Sequence, residues 1–152
     1  MAVFRIVNVG ESVLREKAKP VSNITPNILK LLDNLADTLQ DAKGLGLAAP
    51  QIGVSKRVAI VQMDSDELFE LINPVILQSH GECLGMEGCL SMPGVQGEVV
   101  RSKFVRVRAL DRTGAERVYE VEGLLARAFQ HEIDHLEGVL FADKASRLEK
   151  TD

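Results

Sequence analysis

GLLARAFQHEIDHL, residues 123–136, contains two of the three histidines of this chain, four positions apart. Its apolar residues recur at the spacing of one helix face, and Gly138 follows as a stop signal. Residues four apart on a helix project from the same side, so the imidazoles of His131 and His135 can reach one metal ion. The segment therefore predicts a central helix that carries a metal site.

Glu132 follows the first histidine directly. One residue further along a helix lies about 100° around its axis, which brings a carboxylate close to the metal without making it a ligand. This is the position of a general base. The alternative is that His131 and His135 are simply polar residues on an amphipathic helix, because His-Glu-x-x-His also occurs by chance.

A hydrolytic metal usually has three protein ligands and an open position for water, so a third ligand is required. The chain offers only Asp143 and Glu149 downstream, whereas the segment EGCLS at residues 87–91 supplies Cys89. One thiolate with two imidazoles suits zinc or ferrous iron. Two alternatives are an inert buried thiol and a nucleophilic Cys-His dyad. We expect Cys83 to have no part in the site.

The rest of the chain predicts one further long helix and several strands. Thr25 as N-cap and Pro26 at the first helical position open the helix, whose apolar face ends before Gly44. The glycine-rich segment 80–97 is predicted to be a loop, and DRTG at residues 111–114 a hairpin turn. Alternating or β-branched patterns predict strands at residues 3–9, 57–63, 68–77, 97–102, 104–110 and 116–122.

These elements predict an α+β fold, with mostly antiparallel sheets packed around the central helix that carries the His-Glu-x-x-His motif. No internal repeat or linker composition divides the 152 residues. We expect a single domain over residues 1–152 with a short C-terminal tail at about residues 146–152. A chain of this length buries about two thirds of its unfolded surface, enough to hold a site rigidly.

Composition excludes several classes of protein. Eighteen Lys and Arg against 22 Asp and Glu give a net charge of -4, which argues against direct sequence-specific nucleic-acid binding. No apolar run approaches the roughly 20 residues of a membrane span. The N-terminus lacks the features of a signal or transit peptide, and two cysteines do not suggest a secreted disulfide framework. We expect a protein that is not exported and that lies in a reducing compartment.

Three segments, in this order, resemble the motifs of the peptide deformylase family. They are GLGLAAPQ at residues 44–51, EGCLS at residues 87–91 and QHEIDH at residues 130–135. The resemblance covers nearly the whole chain. It implies removal of the N-formyl group from the initiator methionine of newly made polypeptides, with release of formate. In such a reaction a metal-bound water attacks the formyl carbon.

The resemblance implies roles for individual residues. Cys89, His131 and His135 match the metal ligands, and Glu132 matches the base that later returns its proton as an acid. The side chain of Gln51 and the backbone N–H of Leu90 match the groups that bind the developing oxyanion. The implied cofactor is one divalent metal ion per chain: Fe2+ in the cell, with Zn2+, Ni2+ or Co2+ able to occupy the site.

The resemblance also points to a substrate pocket for the methionine side chain and the peptide. Two of these residues also have a simpler interpretation. Arg127 could be an exposed arginine on the helix surface, and Arg101 could be a solvated charge at the end of a strand. The glycines near residue 44 also fit a tight helix-ending turn. The implied substrate-binding residues are Gly44, Leu45, Gly46, Gly85, Glu87, Arg101, Leu124, Arg127 and Ala128.

The implied partners are N-formyl-methionyl nascent peptides, and the implied setting is the bacterial cytoplasm. Many bacterial deformylases continue into a long basic helix that helps to dock on the ribosome, whereas this chain stops at ASRLEKTD. We therefore expect any ribosome contact to be weaker or made by another surface. Two other functions fit the same motifs: a catalytically silent metal- or peptide-binding module, and a general metallopeptidase. An intact base and oxyanion donor weigh against the silent module.

Overall fold

Two antiparallel sheets and a buried helix form the architecture in the computed structural model, which describes residues 2–63 and 67–151. The larger sheet has the strand order β1-β2-β3-β6-β7, and the smaller one has the order β4-β5-β8. The strands are β1 (Gly46–Ala48), β2 (Val58–Gln62), β3 (Leu68–His80), β4 (Cys83–Cys89), β5 (Met92–Arg101), β6 (Phe104–Leu110), β7 (Glu116–Glu122) and β8 (Arg147–Lys150).

Both long helices are confirmed. α1 spans Pro26–Ala42 with Thr25 as N-cap, and it ends at Lys43, which adopts the left-handed conformation. α2 spans Gly123–Leu136, the segment predicted from its periodicity. A short helix α3 (Phe141–Lys144) and two 3-10 turns, Ser12–Arg15 and Ala49–Ile52, complete the helical elements of the described residues.

The core lies on both sides of the larger sheet. The apolar face of α1 packs against β1 and β2, and α2 packs against β1, β2, β6 and β7. Phe129 of α2 is fully buried and makes edge-to-face contacts with Phe69 of β3 and Tyr119 of β7. Burial of such a ring contributes about 1.5–3 kcal/mol. These contacts hold the histidine helix α2 in place. The predicted α+β fold, with antiparallel sheets around this helix, is confirmed.

The prediction of a strand at residues 3–9 is wrong. This segment is irregular, and its backbone N–H groups are divided among several different neighbours. The Val7 N–H donates to the Gln51 carbonyl at 2.7 Å, and the Val9 N–H donates to the Ser91 carbonyl at 2.8 Å. Because these partners belong to separate elements, no continuous ladder forms.

The predicted loop at residues 80–97 is also wrong, since most of it forms the β4–β5 hairpin. Gly85 explains why the pattern is hard to recognise. A Cβ atom there would lie 2.9 Å from Cζ of Arg127, so the strand needs a glycine to pass close to α2. Most of the residues predicted to form a tail pair with β5 as β8.

The DRTG turn between β6 and β7 is confirmed. The Asp111 N–H donates to the Ala115 carbonyl, and the Asp111 side chain accepts hydrogen bonds from the backbone N–H groups of Thr113 and Ala115. Across residues 2–63 and 67–151, no helix is both long and apolar enough to cross a membrane.

Candidate metal centre

Cys89, His131 and His135 converge on one point. One ligand atom from each lies within 4.8 Å of the others, and Cys89 Sγ lies 3.3 Å from His135 Nε2. Cys89 ends β4, whereas both histidines lie on the inner face of α2. One thiol and two imidazoles are a donor set that fits zinc or ferrous iron. The structure thus brings together the three residues singled out as ligands.

A buried carboxylate orients the first histidine. Glu87 Oε1 lies 2.9 Å from His131 Nδ1, which leaves Nε2 as the nitrogen that can face the other ligands. The same carboxylate accepts two hydrogen bonds from Arg101 and one from Arg127. Glu87 is thus a support for His131, a role beyond the substrate contact expected from the sequence.

These contacts shift the pKa values of the buried groups. Burial alone would raise the pKa of Glu87, but hydrogen bonds from Arg101 and His131 hold it well below its usual range. Burial opposes the charged form of His131, yet contacts with Cys89 and Glu87 raise its pKa to about 10. Burial and the neighbouring His131 lower the pKa of His135. A metal ion binds only the neutral imidazole, so an ion at this position would oppose protonation of both histidines.

Glu132 has the properties of a base within reach of the three ligands. Its side chain is 4% exposed, and burial raises its pKa to about 7. Among the described residues no partner hydrogen-bonds to its Oε1. A buried carboxylate oxygen without a donor is costly unless something occupies that place in the working protein. This orphaned oxygen fits a water bound to a metal.

Gln51 lies on the other side of Cys89, in the 3-10 turn after β1. Its Nε2 is 3.5 Å from Cys89 Sγ and donates to Ser91 Oγ at 3.1 Å, while its Oε1 accepts from the Ala48 N–H at 2.9 Å. The side chain is 1% exposed. The predicted oxyanion donor is therefore directed at the ligand cluster. Leu90 lines the same pocket.

A pocket of about 400 Å³ opens onto these residues. It is lined by seven of the nine predicted substrate-binding residues: Gly44, Leu45, Gly46, Glu87, Leu124, Arg127 and Ala128. The sequence did not identify its other wall, which comes from the β4–β5 hairpin and Thr151. Those residues are Met86, Gly88, Met92, Pro93, Gly94, Val95, Gln96 and Thr151. Recognition of residues 80–97 as a hairpin beside Cys89 would have found most of them.

Gly85 and Arg101 are absent from the pocket wall. Gly85 lies behind the Arg127 guanidinium. Arg101 is 4% exposed and forms ion pairs with Glu87 and Asp134, so it is neither a solvated strand-end charge nor a group that lines the pocket. A buried arginine needs such carboxylate partners, and here two of them surround it.

Arg127 lines the pocket but is not free to bind a substrate anion. Its guanidinium donates to Glu87, to the Val99 carbonyl and to the Cys83 carbonyl. The side chain is buried, which excludes the alternative of an exposed helix-surface arginine. These hydrogen bonds of Arg127 connect the smaller sheet to α2. Cys83 itself is exposed and lies outside the ligand cluster.

Known proteins with the same sequence pattern and fold are peptide deformylases. A peptide deformylase of Desulfitobacterium hafniense is 60% identical over 147 residues, which cover 97% of each chain. The crystal structure of the Thermotoga maritima peptide deformylase superposes with a TM-score of 0.93 at 38% identity, over 97% of this chain and 100% of that one.

A class I type b peptide deformylase from Acinetobacter baumannii, in a structure with bound Met-Ala-Ser, has a TM-score of 0.90 at 35% identity, over 94% of this chain and 98% of that one. The model of the polypeptide deformylase family matches residues 3–151. Family, relatives and structures agree over nearly the whole length. The chain therefore belongs to the polypeptide deformylase family, a family of hydrolases, and it contains a Cys-His-His group that could hold a metal ion.

Proposed function

We propose that this protein removes the N-formyl group from the N-terminal formyl-methionine of newly synthesised polypeptides and releases formate. One observation carries the mechanism. The buried carboxylate of Glu132 has a free oxygen directly beside the Cys89, His131 and His135 cluster, at the floor of a pocket. Membership of the family supports the reaction, and the Met-Ala-Ser bound by the Acinetobacter relative supports an N-terminal methionine in the pocket.

Cys89, His131 and His135 would hold one divalent ion, Fe2+ in the cell and Zn2+, Ni2+ or Co2+ in other preparations. The ion, when bound, lowers the pKa of water toward neutrality and polarises the formyl carbonyl. Glu87 keeps His131 in the tautomer that presents Nε2. Cys83, exposed and outside the cluster, contributes no ligand.

Glu132 accepts the proton of the attacking water and later delivers it to the leaving amine. A group that acts first as base and then as acid works best with a pKa near the working pH, and burial raises the pKa of Glu132 to about 7. The Gln51 side-chain amide and the Leu90 backbone N–H stabilise the negative charge that develops on the formyl oxygen. Loss of one such donor typically costs about 2.7–4 kcal/mol of barrier.

The methionine side chain would lie in the apolar part of the pocket. Leu45 and Leu124 are 40% and 60% exposed at its mouth, and Ala128 lies beside them on the pocket wall. Exposed leucines beside a catalytic cluster lose water when a thioether side chain covers them. Gly44 and Gly46 let an extended peptide backbone approach β1.

The partners that follow are nascent formyl-methionyl peptides, and the setting that follows is the bacterial cytoplasm, where such peptides are made. These assignments rest on the proposed reaction and on bacterial relatives such as that of Desulfitobacterium hafniense.

The test compares formyl-Met-Ala-Ser with acetyl-Met-Ala-Ser, using anaerobically purified enzyme, Glu132→Gln and the surface control Glu120→Gln. Amine and formate release are measured together with metal content. We expect release from the formyl peptide alone, loss of at least roughly 100-fold in Glu132→Gln, and normal activity in the control. No release with metal bound would favour the silent binding module, and internal cleavage of unformylated peptides would favour a metallopeptidase.

A further inference from the structure

Ser91 is the last residue of the EGCLS segment, and the proposed reaction gives it no task. The residue is completely buried. Its hydroxyl accepts from Gln51 Nε2 at 3.1 Å, its N–H contacts Cys89 Sγ at 3.4 Å, and its carbonyl accepts from the Val9 N–H at 2.8 Å. Ser91 therefore touches the predicted oxyanion donor, a predicted metal ligand and the N-terminal segment at once.

The amide of Gln51 has only one orientation that satisfies its neighbours. Its Oε1 accepts from the Ala48 N–H at 2.9 Å, and a flipped amide would place two donors against each other there. Nε2 must consequently face Ser91 and Cys89. A serine hydroxyl can accept the Nε2 hydrogen bond, which fixes the end of the side chain that faces the pocket.

A primary amide carries two hydrogens, and Ser91 can accept only one of them from Gln51. The second hydrogen points away from Ser91, on the side where Cys89 Sγ lies at 3.5 Å. That side is the one at which the substrate carbonyl would sit. The hydroxyl thus separates the two N–H groups into one that anchors the side chain on Ser91 and one that faces Cys89 Sγ across a longer contact, where the formyl oxygen would replace the sulfur as acceptor.

We infer that Ser91 is a positioning residue: its hydroxyl holds one Nε2 hydrogen of Gln51 so that the other is presented to the formyl oxygen. The inference rests on the proposed function, because the formyl oxygen is the acceptor. Without the hydroxyl, Gln51 would keep only the Ala48 N–H and Cys89 Sγ as partners, and its amide could rotate away from the formyl oxygen. The donor would then reach the oxyanion poorly, while the pocket walls that bind the peptide would stay in place.

This role affects the transition state more than the bound substrate. Charge develops on the oxygen only as the bond forms, so a misaligned donor lowers kcat and leaves KM nearly unchanged. Complete loss of an oxyanion donor costs roughly 100- to 1,000-fold in kcat. We expect Ser91→Ala to lose roughly 10- to 100-fold, since Gln51 remains but is no longer held.

The experiment measures kcat, KM and metal content for the wild type, Ser91→Ala, Ser91→Thr, Gln51→Ala and the double variant, with Ser79→Ala as an exposed serine control. Ser91→Ala should lower kcat in the wild-type background but change it less than about two-fold in Gln51→Ala, because the serine acts through the glutamine. Ser91→Thr keeps a hydroxyl and should recover most of the activity if its methyl group fits.

A second readout needs no activity. In the zinc-loaded enzyme, the Gln51 side-chain amide signals are assigned by their loss in Gln51→Ala. In Ser91→Ala one of the two amide protons should move upfield and exchange faster with water. Unchanged amide signals would overturn the inference.

Three further results would overturn it as well. They are an equal loss of kcat in the wild-type and Gln51→Ala backgrounds, a change in KM alone, and a lower metal content in Ser91→Ala. An inactive wild type and an inactive Ser79→Ala would instead refute the proposed function, and the inferred catalytic purpose of Ser91 with it.

Discussion

Gly46 allows the side chain of Glu132, the predicted base, to lie close to β1, because glycine has no Cβ atom. A Cβ atom at this position would lie 2.6 Å from Glu132 Oε2 and 2.8 Å from its Cγ. Both distances are far below ordinary van der Waals contact, and Glu132 is buried with little room to move. The second glycine of GLGLAAPQ is thus explained by the position of the base, in addition to any turn it helps to form.

Gly46→Ala should displace the Glu132 carboxylate and lower kcat by roughly 10- to 100-fold, in the range that general-base catalysis contributes. Metal content should remain, because the three ligands do not touch this Cβ. Steady-state kinetics with a formyl-Met peptide and metal analysis check both points. Gly114→Ala is a control for general destabilisation: Gly114 has a φ of 86° in the exposed β6–β7 turn, so alanine strains the fold there but should leave the activity unchanged. Equal activity in Gly46→Ala would contradict the steric argument.

Glu87 compensates two buried arginines and orients His131 at the same time. Glu87→Gln should lower metal affinity by roughly 10- to 100-fold, because the histidine loses the carboxylate that fixes its tautomer. It should also lower the free energy of unfolding by about 3–5 kcal/mol, since buried charges lose their partner. Chelator competition and urea unfolding measure the two effects. Metal affinity equal to that of the wild type would show that His131 needs no support from Glu87.

The sequence pointed to the candidate ligand and base residues because their chemistry is rare and their spacing is local. Cys89 followed from the need for a third ligand, and His131 and His135 from helical periodicity. Ser91 and Met86 carry no such mark, since serine and methionine occur in every kind of environment. Arg101 was placed near the substrate, whereas only the fold reveals its carboxylate partners, Glu87 and Asp134.

At the scale of elements, the N-terminal segment acts as a strap across the site. It joins the backbone of Gln51 through Val7 and that of Ser91 through Val9, and it also reaches Thr38 of α1 through the Phe4 N–H. The predicted strand at residues 3–9 failed because alternation describes which residues are buried and says nothing about the backbone partners. Two of its N–H groups connect the GLGLAAPQ segment, through Gln51, with the EGCLS segment, through Ser91.

Val9→Pro should weaken this strap, because proline has no N–H and leaves the buried Ser91 carbonyl without its donor. We expect a loss of about 1–3 kcal/mol in the free energy of unfolding. Val9→Ala keeps the N–H of this exposed residue and should be close to wild type. Thermal and urea unfolding of both variants provide the comparison. If the two variants were equally stable, the hydrogen bond to Ser91 would contribute nothing.

The helices were predictable from sequence, whereas the β4–β5 hairpin was not. α1 and α2 each repeat an apolar face over several turns, a pattern long enough to be distinctive. β4 contains Gly85 and Gly88, residues that weaken a strand and suggest a loop. β4 is nevertheless a strand, because it pairs with β5 and because Arg127 donates hydrogen bonds to the carbonyls of Cys83 in β4 and Val99 in β5.

At the scale of the whole molecule, a metal ion at the candidate site would add a further link between two layers that ion pairs of Glu87, Arg101 and Arg127 already connect. Cys89 belongs to the smaller sheet, and both histidines belong to the helix buried against the larger one. A bound ion links these layers and adds its binding free energy to folding, since the ligands are brought together only in the folded chain.

Chelation of the metal should therefore lower the thermal unfolding midpoint. The stabilisation lost is about 2.7 kcal/mol when the free metal is 100 times its dissociation constant. Hydrogen exchange should increase more in β4 and β5 than in α1, which contributes no ligand. Cys89→Ala should unfold at the same midpoint with and without chelator, whereas Cys83→Ala should keep the full shift. A chelator effect that survives in Cys89→Ala would place the metal elsewhere.

The sequence by itself determined the family resemblance, the two long helices and the choice of candidate ligand and base residues. These features depend on local spacing, which every turn of a helix and every short motif carries within a few residues. Only the tertiary structure decided that Glu87, Arg101 and Arg127 form one buried ion network and that residues 147–150 add a strand. It also decided that the N-terminal strap joins Gln51 to Ser91. These contacts join residues far apart in the chain, and their partners are selected by burial and charge compensation after the layers have packed.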